Sequence, residues 1–509
     1  MEEQIRFENG RYHTTRIKND ALRKNKPLPT LLVHLLEWMN QLSPVTSWDG
    51  PVPRLCGELK PHQRDALGFI MARNRSILAL DMGLGKTITC IAKILIHLAR
   101  DPNTRVLAVI PRNLMDNWRK ELTTFAPFLD INYIKDGRSA DFTRGDVVLV
   151  SSGLMTRLHD KIPRFDIMLV EEAHMAKNID SQQSKALFRL STVYKDMSIV
   201  LMTGTPAQGH AHVYGLLRLL HPVFVNWFHF RPHGLAQDDL RFYFADRYIV
   251  AAQRYISRTK KVFEFKMQQR AEELQAILRP FYYRLLKSQV GGLPDLLIET
   301  VIVGEVTATQ RKMFEESLLK ITDIEEKRGK HAADAEKNKL VMETMRLKLP
   351  FICNYIQTLL ESGERFICFT HHHDCAKTIM DFLTDKKVGF IHIDGETPMA
   401  ERTRRQDAFE TDTTIRVGVL SYVCAQGLNF PFIQLCLFCE RVWESPKQKQ
   451  AEARLHRIGQ TLPVTLQYLD LDGSMDVLME MNVKRKIDTE RFLLQDPTPD
   501  HRVVRRRLE

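Results

Sequence analysis

Two stretches of the chain alternate short, apolar, β-rich runs with segments of helical periodicity. This alternation is typical of parallel α/β sheets, because two parallel strands need a long crossover between them. The stretches cover about residues 56–220 and 347–471, and each is long enough for one doubly wound domain. The strand candidates are SILAL, RVLAVI, DVVLV, DIMLV and SIVLMT in the first stretch, and RFICFT, GFIHID, RVGVL, LCLFCE and VTLQYL in the second.

A chain of 509 residues is too long for one hydrophobic core, and we predict five parts. They are an N-terminal helical extension (1–55, with the helix candidate TLLVHLLEWMNQL), a first α/β lobe (56–220), a helical and strongly charged region that links the lobes (221–346), a second α/β lobe (347–475) and a basic C-terminal tail (476–509). Within the third part, the polar stretch at 321–340 is either a solvated helix or a mobile connector.

Composition favours a soluble intracellular chain. Charged residues break the longest apolar region, 77–99, well short of the roughly 20 apolar residues of a membrane helix. The segment MEEQIRFENG lacks the basic and apolar regions of a signal peptide, and eight scattered cysteines favour reduced thiols. A net charge of +11 is compatible with a polyanionic partner.

Two short clusters raise the question of metal binding. Cys436 and Cys439 form a C-x-x-C, but no second Cys or His pair lies at zinc-site spacing, so we interpret them as residues of a core strand. The triplet His371, His372 and His373 follows a strand candidate, where a polar loop is expected in any case. Metal binding is therefore the less favoured interpretation of both clusters.

The glycine-rich segment 79-ALDMGLGKTIT-89 lies between a strand candidate and a helical run. Such a loop is typical of phosphate binding, because Gly83 and Gly85 let backbone N–H groups turn toward phosphate oxygens. Lys86 adds a positive charge for the β- and γ-phosphates, and the Thr87 hydroxyl suits magnesium. Leu80 replaces the first glycine of G-x-x-x-x-G-K-[ST], so a structural turn that contains GKT is the alternative.

Three later segments carry residues of the kind that phosphoryl transfer requires. Glu171 and Glu172 end a strand candidate, where a metal ligand and a water-orienting base are needed. The turn LMTGTPAQ is rich in hydroxyl groups suited to sensing a γ-phosphate. In QAEARLHRIGQ, Arg454 and Arg457 are three apart and share one helix face, as a pair of arginine fingers would. A solvated basic helix is the alternative for that last segment.

In combination these segments resemble the motifs of superfamily 2 helicase-type ATPases of the SNF2 group, over about residues 59–460. That group's phosphate loop also lacks the first glycine, which removes the objection from Leu80. The resemblance implies two RecA-like lobes with parallel sheets and helical protrusions between them. The matching segments are LKPHQRDAL, DMGLGKT, LAVIPRNLMDNWRKEL, VSSGLMTR, EEAH, TGTP, PFYYRLLKSQV, DGETPMAER, VLSYVCAQGLN and QAEARLHRIGQ.

The resemblance also implies roles for single residues. Glu172 would polarise the attacking water, and Thr87 and Glu171 would hold Mg²⁺. Lys86, Arg454 and Arg457 would complete the catalytic set by stabilising charge on the transferred phosphoryl group. Gln63 would contact adenine. The full set expected to bind ATP is Gln63, Asp81, Met82, Gly83, Leu84, Gly85, Lys86, Thr87 and Gln460.

The expected partners come from the same resemblance. ATP and Mg²⁺ are the implied cofactors, double-stranded DNA is the implied partner, and transcription or chromatin proteins are further candidates. We expect no membrane partner and a monomer. The basic cluster 502-RVVRRRLE-509 serves nuclear import or nucleic-acid contact, or is merely a solvated tail. The resemblance favours the nucleus, and the compact size is similar to that of viral members, for which the nucleus would be the host's.

This chain departs from the group's pattern at several positions. Glu171 replaces the usual aspartate, which keeps the carboxylate but moves it by about 1.5 Å. We expect this change to slow the reaction by roughly one to two orders of magnitude, about 1.4–2.7 kcal/mol, without abolishing it. The other departures are Gly209, Leu285, Gln289 and the pair Cys424-Ala425. We expect the changes at Leu285, Gln289 and Cys424-Ala425 to loosen the coupling between ATP hydrolysis and DNA movement more than they harm hydrolysis.

Three functions remain open on the sequence. The favoured one is a DNA-stimulated ATPase that translocates on double-stranded DNA and remodels protein–DNA or transcription complexes. The second is a helicase that separates strands of DNA or RNA. The third is a weakly hydrolysing or inactive regulator that uses ATP or DNA binding as a scaffold for transcription proteins.

Overall fold

Every apolar run that the sequence assigns to a strand is a strand in the structure, which is a computed structural model. The strands build two compact units. The first unit is Met1–Gln253, Phe263–Val290 and Thr489–Pro497, and the second is Arg254–Val262, Gly291–Asp488 and Thr498–Glu509. The structure describes residues 2–8, 11–17, 36–37, 39–42, 45–138, 140–178, 181–204, 210–220, 249–255, 261–268, 270–291, 294–328, 330–425, 428, 430–443, 445–456, 460–494, 496 and 502–508.

The elements alternate along most of the chain. The strands are β1 (Glu2–Glu8), β2 (Arg11–Ile17), β3 (Arg75–Leu80), β4 (Val106–Ile110), β5 (Ile131–Ile134), β6 (Val147–Ser151), β7 (Ile167–Val170), β8 (Ser198–Met202), β9 (Ile249–Tyr255), β10 (Lys261–Gln268), β11 (Tyr282–Leu285), β12 (Leu296–Glu305), β13 (Phe366–Thr370), β14 (Gly389–Ile393), β15 (Ile415–Ser421), β16 (Leu435–Phe438), β17 (Val464–Asp472) and β18 (Arg502–Arg507). The α-helices are α1 (Pro61–Ala72), α2 (Lys86–Arg100), α3 (Met115–Phe125), α4 (Ser152–Leu158), α5 (Gln182–Val193), α6 (His210–Leu220), α7 (Ala271–Leu278), α8 (Lys287–Val290), α9 (Ala308–Arg328), α10 (Lys330–Glu361), α11 (His373–Asp385), α12 (Met399–Thr411), α13 (Ser445–Glu452) and α14 (Met475–Leu494).

The sheet of the first unit has the strand order β11-β3-β8-β7-β4-β6-β5, with every neighbouring pair parallel. All residues of β3, β4 and β8 are buried, as is expected when helices cover both faces of a parallel sheet. Because the strands are parallel, the turns after β3, β7 and β8 leave the sheet at the same edge. Ligands bind at that edge in open α/β sheets.

Helix α2, which follows the turn after β3, is buried on all sides over more than two turns. Nine consecutive residues of the helix, from Ile88 to Ile96, are buried. Among them is Lys93, whose Nζ donates to the carbonyl oxygen of Ile70 on α1 at 2.8 Å. Burial lowers the pKa of Lys93 to about 8. The hydrogen bond satisfies a donor that would otherwise destabilise the core, and it holds α1 against α2.

The sheet of the second unit has the order β14-β15-β13-β16-β17-β12-β18 and is also parallel throughout. Apolar clusters cover both of its faces. Buried ion pairs join its elements: Lys348 Nζ lies 2.8 Å from Asp476, and Arg441 binds Asp470 through two nitrogens at 2.8 and 3.0 Å. Such pairs stay charged in a core only because each partner is satisfied by the other.

The N-terminal extension is not helical throughout, contrary to our prediction for residues 1–55. Its first described elements, β1 and β2, form an antiparallel pair in which Glu2 faces Ile17 and Glu8 faces Arg11. The sequence carries Asn9-Gly10 between them, a pair typical of hairpin turns that the helical prediction did not weigh. Of the predicted helix TLLVHLLEWMNQL, residues 36–37 and 39–41 are helical, and most of the others lie outside the described residues.

The third and fifth predicted parts also need correction. The part at 221–346 contains helices, but it also supplies β11 to the first sheet and β12 to the second, while residues 221–248 lie outside the described ranges. The polar stretch at 321–340 is helical where it is described. The segment expected to be a basic tail forms most of α14 and the strand β18, which pairs with β12. Arg507 faces acidic neighbours there, since it contacts Glu305 at 2.7 Å and Asp472 at 3.2 Å.

Within the described ranges, no helix has both the length and the apolar character that a membrane crossing requires.

Candidate active site

The glycine-rich loop, here called the phosphate loop, connects β3 to α2 at the carboxyl edge of the first sheet. Gly83 and Gly85 both have a φ of +84°, a conformation that L-residues rarely adopt. Any other residue at Gly85 would be strained by this backbone conformation, and its Cβ atom, 2.2 Å from Nε2 of Gln63, would also displace the Gln63 side chain. Helix α2 begins directly after Gly85, and its first backbone N–H groups have no partner within the helix. The loop therefore has the backbone of an anion site at a helix N-terminus.

Lys86 and Thr87 occupy the first turn of α2, as the motif predicts. The Nζ atom of Lys86 donates to the carbonyl oxygen of Leu80 at 2.9 Å and lies 3.5 Å from that of Asp81. The ammonium group thus sits over the loop, bonded to neutral carbonyls that an anion could replace as partners. Thr87 is partly exposed beside it. Met82 and Leu84 complete the loop, and Leu84 is buried.

Gln63 is buried against the phosphate loop. Its Nε2 donates to the carbonyl oxygen of Leu84 at 3.2 Å, and its Oε1 accepts from the backbone N–H of Lys60 at 2.9 Å. The ring Nε2 of His62 also lies 3.2 Å from the Leu84 oxygen. The structure therefore places Gln63 next to the loop, as a binding residue requires, while its contact with adenine stays a prediction.

The acidic pair comes directly after β7 at the same edge of the sheet. The backbone N–H of Glu171 continues the sheet by donating to Val109 at 2.9 Å. Oε2 of Glu171 accepts a hydrogen bond from the indole Nε1 of Trp118 at 3.2 Å. Burial raises the pKa of Glu171, and Glu172 raises it further, although the nearby Lys86 opposes the shift. The carboxylate of Glu171, which lies one methylene further from the backbone than that of an aspartate, is thus held by Trp118 through one of its two oxygens.

Glu172 has a left-handed backbone with a φ of +51°, which is uncommon for a residue with a side chain. One of its oxygens lies 3.1 Å from Nδ1 of His174, two residues further along. Backbone strain of this kind persists only when the surrounding structure enforces it, and it is concentrated at functional sites. The strained backbone of Glu172 therefore marks the position whose carboxylate the motif assigns to the attacking water, and His174 lies beside that carboxylate.

The donor set fits Mg²⁺. Magnesium is usually held by one or two carboxylates, while water and substrate phosphates fill the other positions. Thr87 and Glu171 supply a hydroxyl and a carboxylate, and Trp118 occupies only one of the two carboxylate oxygens. Among the described residues, no group of three or more His, Cys, Asp or Glu side chains forms a metal cage. With Thr87 and Glu171 as the protein ligands, the other positions of a bound Mg²⁺ would be left to water and phosphate oxygens.

Arg454 and Gln460 lie in the second unit. The guanidinium of Arg454 donates to the carbonyl oxygens of Gln450 at 3.0 Å and Leu428 at 3.1 Å. Gln460 is buried, and its Nε2 donates to Ile433 at 3.1 Å. Arg457 lies outside the described residues. The catalytic role of both arginines and the ATP contact of Gln460 remain predictions.

The two clusters considered for metal binding have other roles. Cys436 and Cys439 are fully buried, as expected for core residues of β16 and its end. Glu440 accepts backbone N–H bonds from His371 at 2.7 Å and His372 at 3.0 Å, and it also binds Nδ1 of His372. The histidine triplet thus supplies a partner for a buried carboxylate, and only one of its rings makes that bond.

Three residues of the first unit were missed from the sequence. They are Trp118, which donates a hydrogen bond to Glu171, His174, which lies 3.1 Å from Glu172, and Arg284, which lies 3.2 Å from Asp81. Each lies inside a segment that carries the resemblance, NLMDNWRKEL, EEAH and PFYYRLLKSQV respectively. The motifs gave the location of these residues, but their roles depend on contacts between distant segments.

Two parallel α/β units, one of which carries a phosphate loop and an acidic pair, define a helicase-like ATPase. The comparisons with protein families give the same class and refine it. The chain matches the model of the SNF2-related domain over residues 62–355 and that of the helicase conserved C-terminal domain over residues 347–459. The first match alone covers more than half of the chain, so this protein belongs to the SNF2-related family.

Curated relatives match the same core. The SWI/SNF-related matrix-associated actin-dependent regulator of chromatin subfamily A-like protein 1 of Drosophila melanogaster is 28% identical over 85% of this chain and 56% of its own length. The protein of the same name from Bos taurus is 31% identical over 85% of this chain and 44% of its own. The DNA annealing helicase and endonuclease ZRANB3 of Mus musculus is 29% identical over 85% and 40%. The chain thus spans about half the length of these relatives.

Among solved structures, the Sulfolobus solfataricus SWI2/SNF2 ATPase core in complex with dsDNA is similar to this chain at 20% identity. The similarity covers 88% of this chain and 99% of the other, with a TM-score of 0.42.

Proposed function

We propose that this protein is a DNA-stimulated ATPase that translocates on double-stranded DNA and remodels protein–DNA or transcription complexes. One observation carries the proposal. The phosphate loop and the acidic pair meet at the carboxyl edge of the first sheet, within the span that matches the SNF2-related domain. The phosphate loop, Lys86 and the acidic pair each have the local structure that their roles require. A site that had lost its function would not be expected to keep all three.

In this proposal the first unit binds Mg-ATP through groups already in place. The N–H groups at the start of α2 and the ammonium of Lys86 receive the phosphates, and Thr87 and Glu171 hold the metal. When bound, Mg²⁺ neutralises charge that develops on the transferred phosphoryl group. Glu172, whose carboxylate lies 3.1 Å from His174, accepts a hydrogen bond from the attacking water and aligns it.

The family's motifs give further residues a part in ATP binding and hydrolysis. Gln63 recognises adenine, while Asp81, Met82, Gly83, Leu84 and Gly85 shape the loop. Arg454 and Arg457 stabilise the transferred group as arginine fingers, and Gln460, from the same motif, contacts ATP. The assignments of Gln63 and the loop residues are supported by the family's motifs and by the position of Gln63 against the loop, whereas those of Arg454, Arg457 and Gln460 rest on the motifs alone.

DNA is the partner that charge and relatives favour. The net charge of +11 supports contacts to phosphates, and the Drosophila and Bos relatives are named as regulators of chromatin. The proposal therefore places the protein in the nucleus, as a monomer acting on DNA-bound proteins. A viral origin stays a prediction. The logarithm of DNA affinity should fall linearly with the logarithm of salt concentration, by about 0.9 per phosphate contacted.

One relative's name supports a second candidate function. The Mus musculus relative is named a DNA annealing helicase, and this chain matches 85% of its own length to that protein at 29% identity. A motor that moves on duplex DNA could close complementary strands as it advances. Strand separation and an inactive scaffold are the less favoured functions.

A set of DNA substrates separates these functions. Displacement of a triplex-forming strand from a duplex reports translocation, a forked duplex reports strand separation, and complementary strands coated with a single-strand-binding protein report annealing. The proposal predicts ATP-dependent triplex displacement without unwinding of the fork. Unwinding of the fork alone would replace the translocase by a helicase, and annealing alone would favour the second candidate.

A further inference from the structure

Arg284 is a buried arginine whose guanidinium contacts several parts of the first unit. It lies on β11, where it pairs in register with Ala79 of β3. Its side chain is 9% exposed. Nη1 donates to the carbonyl oxygen of Ala79 at 3.1 Å and to that of Gly204, just after β8, at 3.0 Å. One side chain thus bridges the strand that enters the phosphate loop and the turn after the neighbouring strand.

The same nitrogen also reaches the loop itself. Nη1 of Arg284 lies 3.2 Å from Oδ1 of Asp81, the first residue after β3. Oδ2 of Asp81 accepts from the backbone N–H of Lys287 at 3.1 Å, and its own N–H donates to Leu285 at 3.0 Å. Asp81 is therefore held by three neighbouring residues of the linker. The entrance of the phosphate loop takes its position from the segment around β11.

Asp496 holds the other side of the guanidinium. Its carboxylate accepts from Nε of Arg284 at 3.1 Å and from Nη2 at 3.0 Å, the paired geometry of a fork against a carboxylate. The Asp496 side chain is only 4% exposed, and the two residues are 212 positions apart in the chain. Within the first unit, Asp496 belongs to the segment Thr489–Pro497, which comes from near the C-terminus.

The chemistry of this arrangement is specific. A guanidinium has five N–H donors in one plane, so it can bind Asp496 on one edge and Asp81 with two carbonyls on the other. A lysine offers a single point charge and cannot serve both edges. Without Asp496, a buried positive charge would lose its main partner and would move toward the remaining carboxylate, Asp81, in the loop.

We infer that Arg284 is a positioning residue for the phosphate loop and that Asp496, from the C-terminal segment, sets its orientation. Nucleotide affinity in the first unit therefore depends on a carboxylate remote from the loop in sequence. The inference rests on the proposed ATP site, but it concerns neither DNA nor the second unit. It assigns the C-terminal segment a part in ATP binding that none of the matched motifs describes.

The test compares nucleotide binding by full-length variants in the absence of DNA. Asp496→Asn removes the charge and keeps the shape, and it should raise the Kd for a fluorescent ATP analogue and the KM for ATP by about tenfold each. Arg284→Lys should weaken both similarly. Asp496→Glu keeps the charge and should stay within about threefold of wild type. Asp160→Asn, which breaks an exposed ion pair with Arg189 in the same unit, is the matched control and should change nothing.

Hydrogen exchange distinguishes positioning from general stabilisation. In Asp496→Asn, amides of residues 81–86 should exchange faster while those of β4 and β6 keep their protection. Faster exchange spread over β4 and β6 would assign the pair to the stability of the sheet and would overturn the inference. So would an unchanged Kd in a folded Asp496→Asn variant. A wild-type chain that binds no ATP would instead overturn the proposed function itself.

Discussion

The two seven-stranded sheets are built alike, and they differ in the turns that leave their strands. In the first unit, the turns after β3 and β7 carry an open glycine loop and a pair of acids. In the second unit, the turn after β13 is closed by a carboxylate, because Glu440 takes two backbone N–H groups and the His372 ring. Asp394, after β14, likewise binds the N–H groups of Glu396 and Thr397 at 3.1 and 2.9 Å.

The difference shows where function resides in such a fold. The sheet provides a common edge, and the polar groups at that edge either satisfy one another or remain poised for a ligand. Lys86 can still bind an anion, since its present partners are neutral carbonyl groups of the loop. Glu440 is satisfied, since its partners belong to the neighbouring turn of the same sheet. We therefore expect changes in the first set of turns to affect catalysis and changes in the second to affect stability.

The largest effect is expected for Lys86→Ala. Loss of the ammonium removes the positive charge that the phosphate loop offers to the β- and γ-phosphates, so ATP turnover should fall by roughly 10³-fold. Binding of duplex DNA should remain within about twofold of wild type. Steady-state hydrolysis and DNA titration measure the two quantities. Lys386→Ala, on the surface of the second unit, is the control; hydrolysis retained in Lys86→Ala would refute the assigned site.

Glu172→Gln should give the next largest effect. The amide keeps the shape of the side chain and its neighbour His174 but cannot act as a base, so kcat should fall by about 10²-fold or more. The Kd for ATP should change little, because the residue acts on water and not on the phosphates. Stopped-flow binding and single-turnover hydrolysis separate these two effects. Equal losses in binding and turnover would instead make Glu172 part of the binding surface.

The smallest effect tests the second unit. The hydrogen bond with Glu440 raises the pKa of His372 in the folded chain. A group whose pKa is raised on folding stabilises most below its unfolded value, near 6.5, and this contribution is lost as pH rises through the folded value. Replacing His372 by Asn should therefore cost about 1 kcal/mol at pH 6 and less at pH 9.

Chemical denaturation across this pH range measures the difference, with the exposed neighbour His373→Asn as control. The pair is charged only while Glu440 is ionised, so the pKa of Glu440 sets the lower limit of the pH range in which the pair stabilises the fold. Burial would raise that pKa, but the bonds from His372 and His371 lower it overall. A loss in free energy of unfolding that grew with pH would contradict the assigned ion pair. A loss of ATPase activity in His372→Asn would contradict the expectation that this turn affects stability and not catalysis.

The sequence predicted the core strands because parallel strands buried on both faces are continuous apolar runs. It missed β18, whose RVVRRR resembles a charged tail until the partner strand β12 and its acidic neighbours are known. It also missed β11, which has only four residues. Strand pairing of this kind joins segments that are distant in the chain, so local patterns carry no signal for it.

The candidate site shows the same limit. The loop from Asp81 to Thr87 could be located from its own residues, because glycines and a lysine at that spacing are themselves typical of a phosphate-binding loop. The bond from Trp118 to Glu171 and the fork between Arg284 and Asp496 join segments 53 and 212 positions apart. Such contacts exist only once the sheet has brought the segments together.

The most direct test of the proposed motor is steady-state ATP hydrolysis by the wild-type chain and by Glu171→Asp, each with duplex DNA, with single-stranded DNA and without nucleic acid. We predict duplex-stimulated hydrolysis by the wild type and a further gain of about tenfold in Glu171→Asp, because the shorter acid restores the usual metal geometry. No hydrolysis by the wild type, with recovery in Glu171→Asp, would contradict the prediction. In that case Glu171 would have switched the motor off, and the protein would act as a scaffold.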